Sequence, residues 1–185
     1  MKNGVIFGLV FLFATNLAFA QETTETVNAK SPHKLMSSST LALWGLASSG
    51  GSKSKGVLFQ LCQLSGTSFA YDDLYDFKST SSGDAKTPIG SLYVAADTNL
   101  YGMTAVGGVG YGRIFRYKMT PAHMYTYQAL KGFSSTTGSP TAMSFIQPNT
   151  ASPVLYGMST TGGANSNGYI FTYNYSTNTI TDIYD

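Results

Sequence analysis

The chain has 185 residues, of which 43% are hydrophobic, 14% aromatic and 11% charged, with a formal net charge of +2. That length suits one domain or one run of small repeats, and the apolar content excludes a disordered chain. The near-neutral balance lacks the basic stripe that phosphate neutralisation requires, so nucleic acid is not an expected partner. A single cysteine excludes a disulfide framework within the chain.

The first predicted element is an export signal. Lys2 supplies a positive start, Val5 to Phe13 is an apolar run, and Ala18-Phe19-Ala20 is a small-x-small cleavage site before Gln21. This pattern reads as a secretory signal peptide over residues 1–20. The apolar run is short for a membrane span, which needs about 20 residues. No cysteine follows the cleavage site, so a lipoprotein anchor is not expected, and no later run is long enough for a helical span. The expected location is periplasmic, cell-surface or extracellular. Residues 21–31 are polar and aperiodic and read as a flexible leader.

Three repeats follow, over residues 32–87, 88–139 and 140–185. Leu43-Trp44-Gly45 recurs as Leu100-Tyr101-Gly102 and Leu155-Tyr156-Gly157. Each is followed by a glycine pair: Gly50-Gly51, Gly107-Gly108 and Gly162-Gly163. A further glycine then opens Gly56-Val57-Leu58-Phe59, Gly112-Arg113-Ile114-Phe115 and Gly168-Tyr169-Ile170-Phe171. Pro32, Pro88 and Pro140 precede the three aromatic-Gly motifs. Tyr71 to Phe77 aligns with Tyr127 to Phe133 and with Ile180 to Asp185, where the sequence stops one position short of the expected Phe.

Each repeat reads as four short strands. In the second they are Ser91–Asp97, Leu100–Thr104, Arg113–Met119 and Met124–Leu130. Phe115, Tyr117 and Met119 alternate with Ile114, Arg116 and Lys118 at a period of two. The segments are rich in Tyr, Phe, Ile and Thr, and the breaks in Gly, Asn, Ser and Pro. The glycine pair is expected in the hairpin between the second and third strands, and Asn167-Gly168 is a further hairpin signal. The expected fold is therefore all-β: three tandem four-stranded antiparallel repeats in an incomplete β-propeller-like array.

The motif Leu-Tyr-Gly, Gly-Gly, Gly-x-Ile-Phe-x-Tyr resembles the Gloeo/Verruco tandem repeat of exported bacterial proteins. Leu100 to Tyr117 and Leu155 to Tyr173 carry it closely. Leu43 to Leu61 carries it with Trp44 and Leu61 in place of the two tyrosines. The resemblance covers nearly all of Pro32 to Asp185. It implies a propeller-like, secreted or surface-associated repeat protein, and it carries over no catalytic residues.

Candidate sites are few. Residues 107–112 are Gly-rich but lack the G-x-G-x-x-G spacing, and no helix is expected after them, so they read as a hairpin loop. His33 and His123 occupy non-equivalent positions with no second His at ligand spacing and read as surface residues. Cys62, in an apolar run, reads as a small buried hydrophobe, with pairing between chains as the lesser alternative. Asp72, Asp73, Asp76 and Asp84 form the acidic cluster, and a glycosidase would need two opposed carboxylates from it. Asp73 recurs as Asp182 but is Ala129 in the middle repeat, which fits strand-end positions better than a catalytic pair. Trp44, Tyr101 and Tyr156 read as packing residues.

No cofactor or metal is expected. The favoured function is an exported, non-enzymatic binding or structural module, with its ligand (a glycan or a protein) met by the variable loops after each glycine pair. The alternative is a carbohydrate-active propeller enzyme using the Asp cluster. A twelve-stranded outer-membrane barrel ranks last, because the strands are short and the Gly-rich loops frequent. Three blades do not readily close a propeller, so a homodimer through exposed end blades, with six blades in a ring, is expected. The rival expectation is a truncated copy of a longer repeat protein.

Overall fold

The computed structural model describes residues 42–78, 84–107, 110–119, 125–140 and 144–185. Among them every helix or strand is a strand, as the alternating sequence predicts. The strands are β1 (Ala42–Ala47), β2 (Val57–Ser65), β3 (Ser68–Asp76), β4 (Ala85–Val94), β5 (Leu100–Gly107), β6 (Arg113–Met119), β7 (Tyr125–Gly132), β8 (Val154–Ser159), β9 (Tyr169–Asn174) and β10 (Thr179–Tyr184). They form three antiparallel meanders, ordered β1-β2-β3, β4-β5-β6-β7 and β10-β9-β8. Each meander has two edges, which is not the closed sheet of a barrel.

Among the described residues, four strands per repeat are present in the middle sheet only. In the first, the position before β1 falls at residues outside those described. In the third, two isolated bridges take that position: Pro140 with Ser159 and Ile146 with Tyr156. They match the β4 pairings Pro88 with Thr104 and Tyr93 with Tyr101. The prolines sit on an edge, where the missing N–H interrupts no ladder. β4 starts earlier than predicted and ends before Asp97, because the Asp97 carboxylate accepts a hydrogen bond from the Asn99 N–H at 3.1 Å and turns the chain.

The period of two decides which residue meets which sheet. Phe115 and Tyr117 face the first sheet, where they join Leu58, Leu74, Phe77 and Leu100 in one buried cluster. Ile114, on the opposite face, joins Tyr101, Met103, Phe133, Phe171 and Tyr173 in a second cluster against the third sheet. Successive sheets thus pack face against face, and the middle sheet is buried on both sides. β1 lies beside β4 across the first joint. Each buried large side chain contributes about 1.5–3 kcal/mol, so these two joints hold the sheets together.

Candidate functional site

The aromatic-Gly motif and the Gly-x-Ile-Phe motif are the two sides of one contact. Gly45 pairs with Phe59, Gly102 with Phe115 and Gly157 with Phe171 across adjacent strands. Each ring lies over its glycine. A Cβ there would stand 2.9 Å from Cε1 of Phe59, 2.8 Å from Cε1 of Phe115 and 2.9 Å from Cε2 of Phe171, and closer still to each Cζ. The glycine is required by the ring's approach, since none of the three carries a positive φ. At each joint the last aromatic of one repeat meets the next ring edge to face. Phe77 is 5.3 Å from Phe115, and Phe133 is 5.5 Å from Phe171, centroid to centroid.

The first and third glycine pairs lie in the loops at residues 48–56 and 160–168, whereas Gly107 of the middle pair ends β5. Gly50, Gly51, Gly162 and Gly163 all have φ between +74° and +91°, which an L side chain rarely adopts. The first and third loops close with the same bond, Gly56 N–H to Gly50 O and Gly168 N–H to Gly162 O, both 3.1 Å. Asn167-Gly168 therefore ends a wide loop, not a two-residue turn. The third glycine of the motif also admits the following repeat: Pro88 Cγ lies 2.9 Å from where a Cβ of Gly56 would stand, and Pro140 Cδ 3.0 Å from that of Gly112. Gly107 packs on Ala85, leaving 2.8 Å between its would-be Cβ and that methyl. Gly108 lies outside the described residues.

The acidic cluster is dispersed over structural tasks. The Asp76 carboxylate accepts from Ser52 N–H at 2.8 Å and Ser52 Oγ at 2.7 Å, and so caps the first loop. Asp185 does the same in the third, accepting from Ala164 N–H at 3.0 Å. This shared role escapes the sequence reading, although Asp76 and Asp185 occupy the same place in the repeat alignment. Asp84, only 6% exposed, accepts from Tyr75 OH at 2.6 Å and Lys78 N–H at 3.1 Å. Asp73 accepts from Tyr71 OH. Asp73, Ala129 and Asp182 are the strand partners of Phe59, Phe115 and Phe171 and precede a register shift in all three sheets.

The three motif aromatics differ in setting. Trp44 packs against the first joint. Tyr101 is fully buried and donates to Asp97 at 2.8 Å. Tyr156 is half-buried on the outer face of the third sheet. Burial, then the hydrogen bond to Asp84, pushes Tyr75 well above the ordinary tyrosine value. Burial, followed by the Asp84 charge, does the same to Tyr127, which stacks on Tyr75 at 3.8 Å. Burial raises Tyr169 and Tyr173 to about 12. Phenols raised in this way stay neutral and serve packing. Cys62 is buried in β2.

Among the described residues no three or more of His, Cys, Asp and Glu gather as a metal set, and no helix is long and apolar enough to cross a membrane. His33 and His123 lie outside the described residues, as do the signal-peptide and leader segments and Pro32. The recurrent contacts define a tandem β-repeat protein. The Gloeobacter/Verrucomicrobia repeat matches residues 1–185, and the chain belongs to that family. No curated protein and no solved structure matches it.

Proposed function

We propose that the chain is an exported, non-enzymatic repeat module that binds its ligand through the loops following the glycine pairs. The observation that carries this is the contrast between scaffold and loops. The recurrent Gly and Phe of the ring-over-glycine contacts are committed to packing within or between sheets, and Pro88 and Pro140 to the joints. At one repeated hairpin position, Ser52-Lys53-Ser54, Tyr111 and Ala164-Asn165-Ser166-Asn167 stand exposed and differ in sequence. Variable loops on a rigid scaffold are the usual place for recognition. On this reading the sheets fan like propeller blades, a view supported by the meander in each sheet, the edge prolines and the approach of β1 to β4. The engagement of Asp73, Asp76 and Asp84 by neighbouring donors supports a structural over a catalytic use of the acidic cluster.

Two measurements on one preparation test the reading. N-terminal sequencing of exported protein should begin at Gln21; retention of the intact chain in the cytoplasm would overturn export. A glycan array read beside a reducing-sugar assay separates binding from hydrolysis. Binding without release, weakened when Ser52 to Lys55 are replaced by Gly-Ser, supports the module. Sugar release that disappears in Asp73→Asn assigns the chain to carbohydrate-active enzymes instead.

A further inference from the structure

The two joints inside the chain are the same contact made twice. In the first, Trp44, Leu46, Leu58 and Leu74 of one sheet meet the Phe115 and Tyr117 ridge of the next. In the second, Tyr101, Met103, Ile114 and Leu130 meet the Phe171 and Tyr173 ridge. The third sheet repeats the donor side once more with Tyr156, Met158, Ile170 and Ile183. Register places them together: Met158 and Ile170 are strand partners, and Tyr184 pairs with Ile170 on the other side. Leu58 and Ile114 are fully buried, whereas Ile170 is 36% exposed. Leu74 is 5% exposed, whereas Ile183, at the same bulge, is 49% exposed. Among the described residues, the third sheet therefore carries the residues of a joint without a sheet that completes it.

The complementary side exists in the same chain. Leu43, Phe59 and Leu61 stand on the first sheet where Leu100, Phe115 and Tyr117 stand on the second. Phe59 lies on Gly45 as Phe115 lies on Gly102. We propose that the outer face of the third sheet docks on the first sheet of a second copy of this chain, head to tail, through the contact that already joins successive sheets within one copy. A second copy suits the face because it presents a Phe ridge laid over glycine with a large apolar residue two positions on. Two third-sheet faces brought together would oppose Ile to Ile and supply no such ridge. The resulting interface is heterologous, so each copy uses both of its ends.

The test is the solution mass of the purified chain by multi-angle light scattering from about 1 to 100 μM, a span across which a self-association of micromolar strength populates both states. The native chain should reach twice the chain mass or a series of whole multiples. Ile170→Asp, which spoils only the third-sheet face, and Leu61→Asp, which spoils only the first-sheet face, should each stay at single-chain mass. Their circular dichroism should match the native chain, and so should their thermal transitions at concentrations too low for association. Mixed together, the two variants should form pairs, because each retains one good end. Should Ile170→Asp misfold, the exposed Ile183→Ser takes its place, with association weakened at least about tenfold. A native chain at single-chain mass throughout would overturn the proposal. So would a heterogeneous aggregate, association indifferent to both substitutions, or a mixture that fails to pair.

Discussion

Gly102→Ala tests the central packing claim, because it adds one methyl group under a fully buried ring. The Phe115 ring cannot stay where it is: an added Cβ would be 2.8 Å from Cε1 and nearer to Cζ. Its far side is held by Phe77 at 5.3 Å, so the ring has little room to yield. Overpacking of this kind costs about 1–3 kcal/mol. The φ at Gly102 is not positive, so no backbone strain adds to it, and replacing a strand glycine returns about 0.5–1 kcal/mol of conformational entropy. The expected net loss is about 1–2 kcal/mol. Phe115→Ala alone should cost about 3–5 kcal/mol, the usual figure for a buried Phe. In that background the methyl has nothing to strike, so Gly102→Ala should become neutral or mildly stabilising. Urea titration of the four proteins closes the cycle, with an expected coupling of about 2 kcal/mol, within the range for residues in contact. Additive losses would refute the ring-over-glycine account, and so would a Gly102→Ala protein as stable as the native one.

Phe133→Ala removes the edge-to-face partner of Phe171 at the second joint and should cost about 3–5 kcal/mol in the same titration. Asp76→Ala strips both acceptors from Ser52; at an exposed site the expected loss is about 1 kcal/mol, with faster proteolysis near Lys53 and Lys55. Raising the pH should destabilise the fold. Tyr169 and Tyr173 hold their protons to about 12 when folded against an ordinary 10.0, so above 10 the unfolded chain releases protons first and stability falls with pH. The contribution is intact below 10 and lost as pH climbs towards 12. Urea midpoints at pH 9, 10.5 and 11.5 should decline together with tyrosinate absorbance that appears only on unfolding, and constant midpoints would contradict the burial of these phenols.

Much of the fold is legible in the sequence because one unit is written three times. Alternation of Phe115 and Tyr117 with Ile114 assigns two faces, and the triple recurrence says that both matter. What recurrence does not reveal is the partner of each position. Gly102 and Phe115 recur at fixed spacing, but that Gly102 is glycine because of Phe115 follows only from the register between β5 and β6. Proximity in sequence also misleads over the acidic residues. Asp72, Asp73, Asp76 and Asp84 look like a cluster. Strand alternation and the chain's return to the loop instead send Asp76 to Ser52 and leave Asp84 with Tyr75. The missed signal was the shared alignment of Asp76 with Asp185, two carboxylates placed where a glycine pair needs a cap. The middle repeat has Gly132 at that position, and there β5 runs on through Gly107, the first glycine of the pair.

The repeat is polar, and that polarity governs what it can build. One face of each sheet presents a Phe ridge seated on glycine, and the other an aliphatic and aromatic hollow. Ridge meets hollow at both joints, so successive sheets are joined in one orientation. The Pro88 contact on Gly56 and the Pro140 contact on Gly112 recur at successive joints, with Cδ of the proline closer at the first than at the second. Each joint is therefore built from the same kinds of side chain. A constant turn between polar units closes into a ring when it divides the circle and otherwise winds into an open helix. Were such joints, a proline on a glycine and a phenylalanine edge on a phenylalanine face, to repeat at one angle, that angle would decide between a propeller and a fibre.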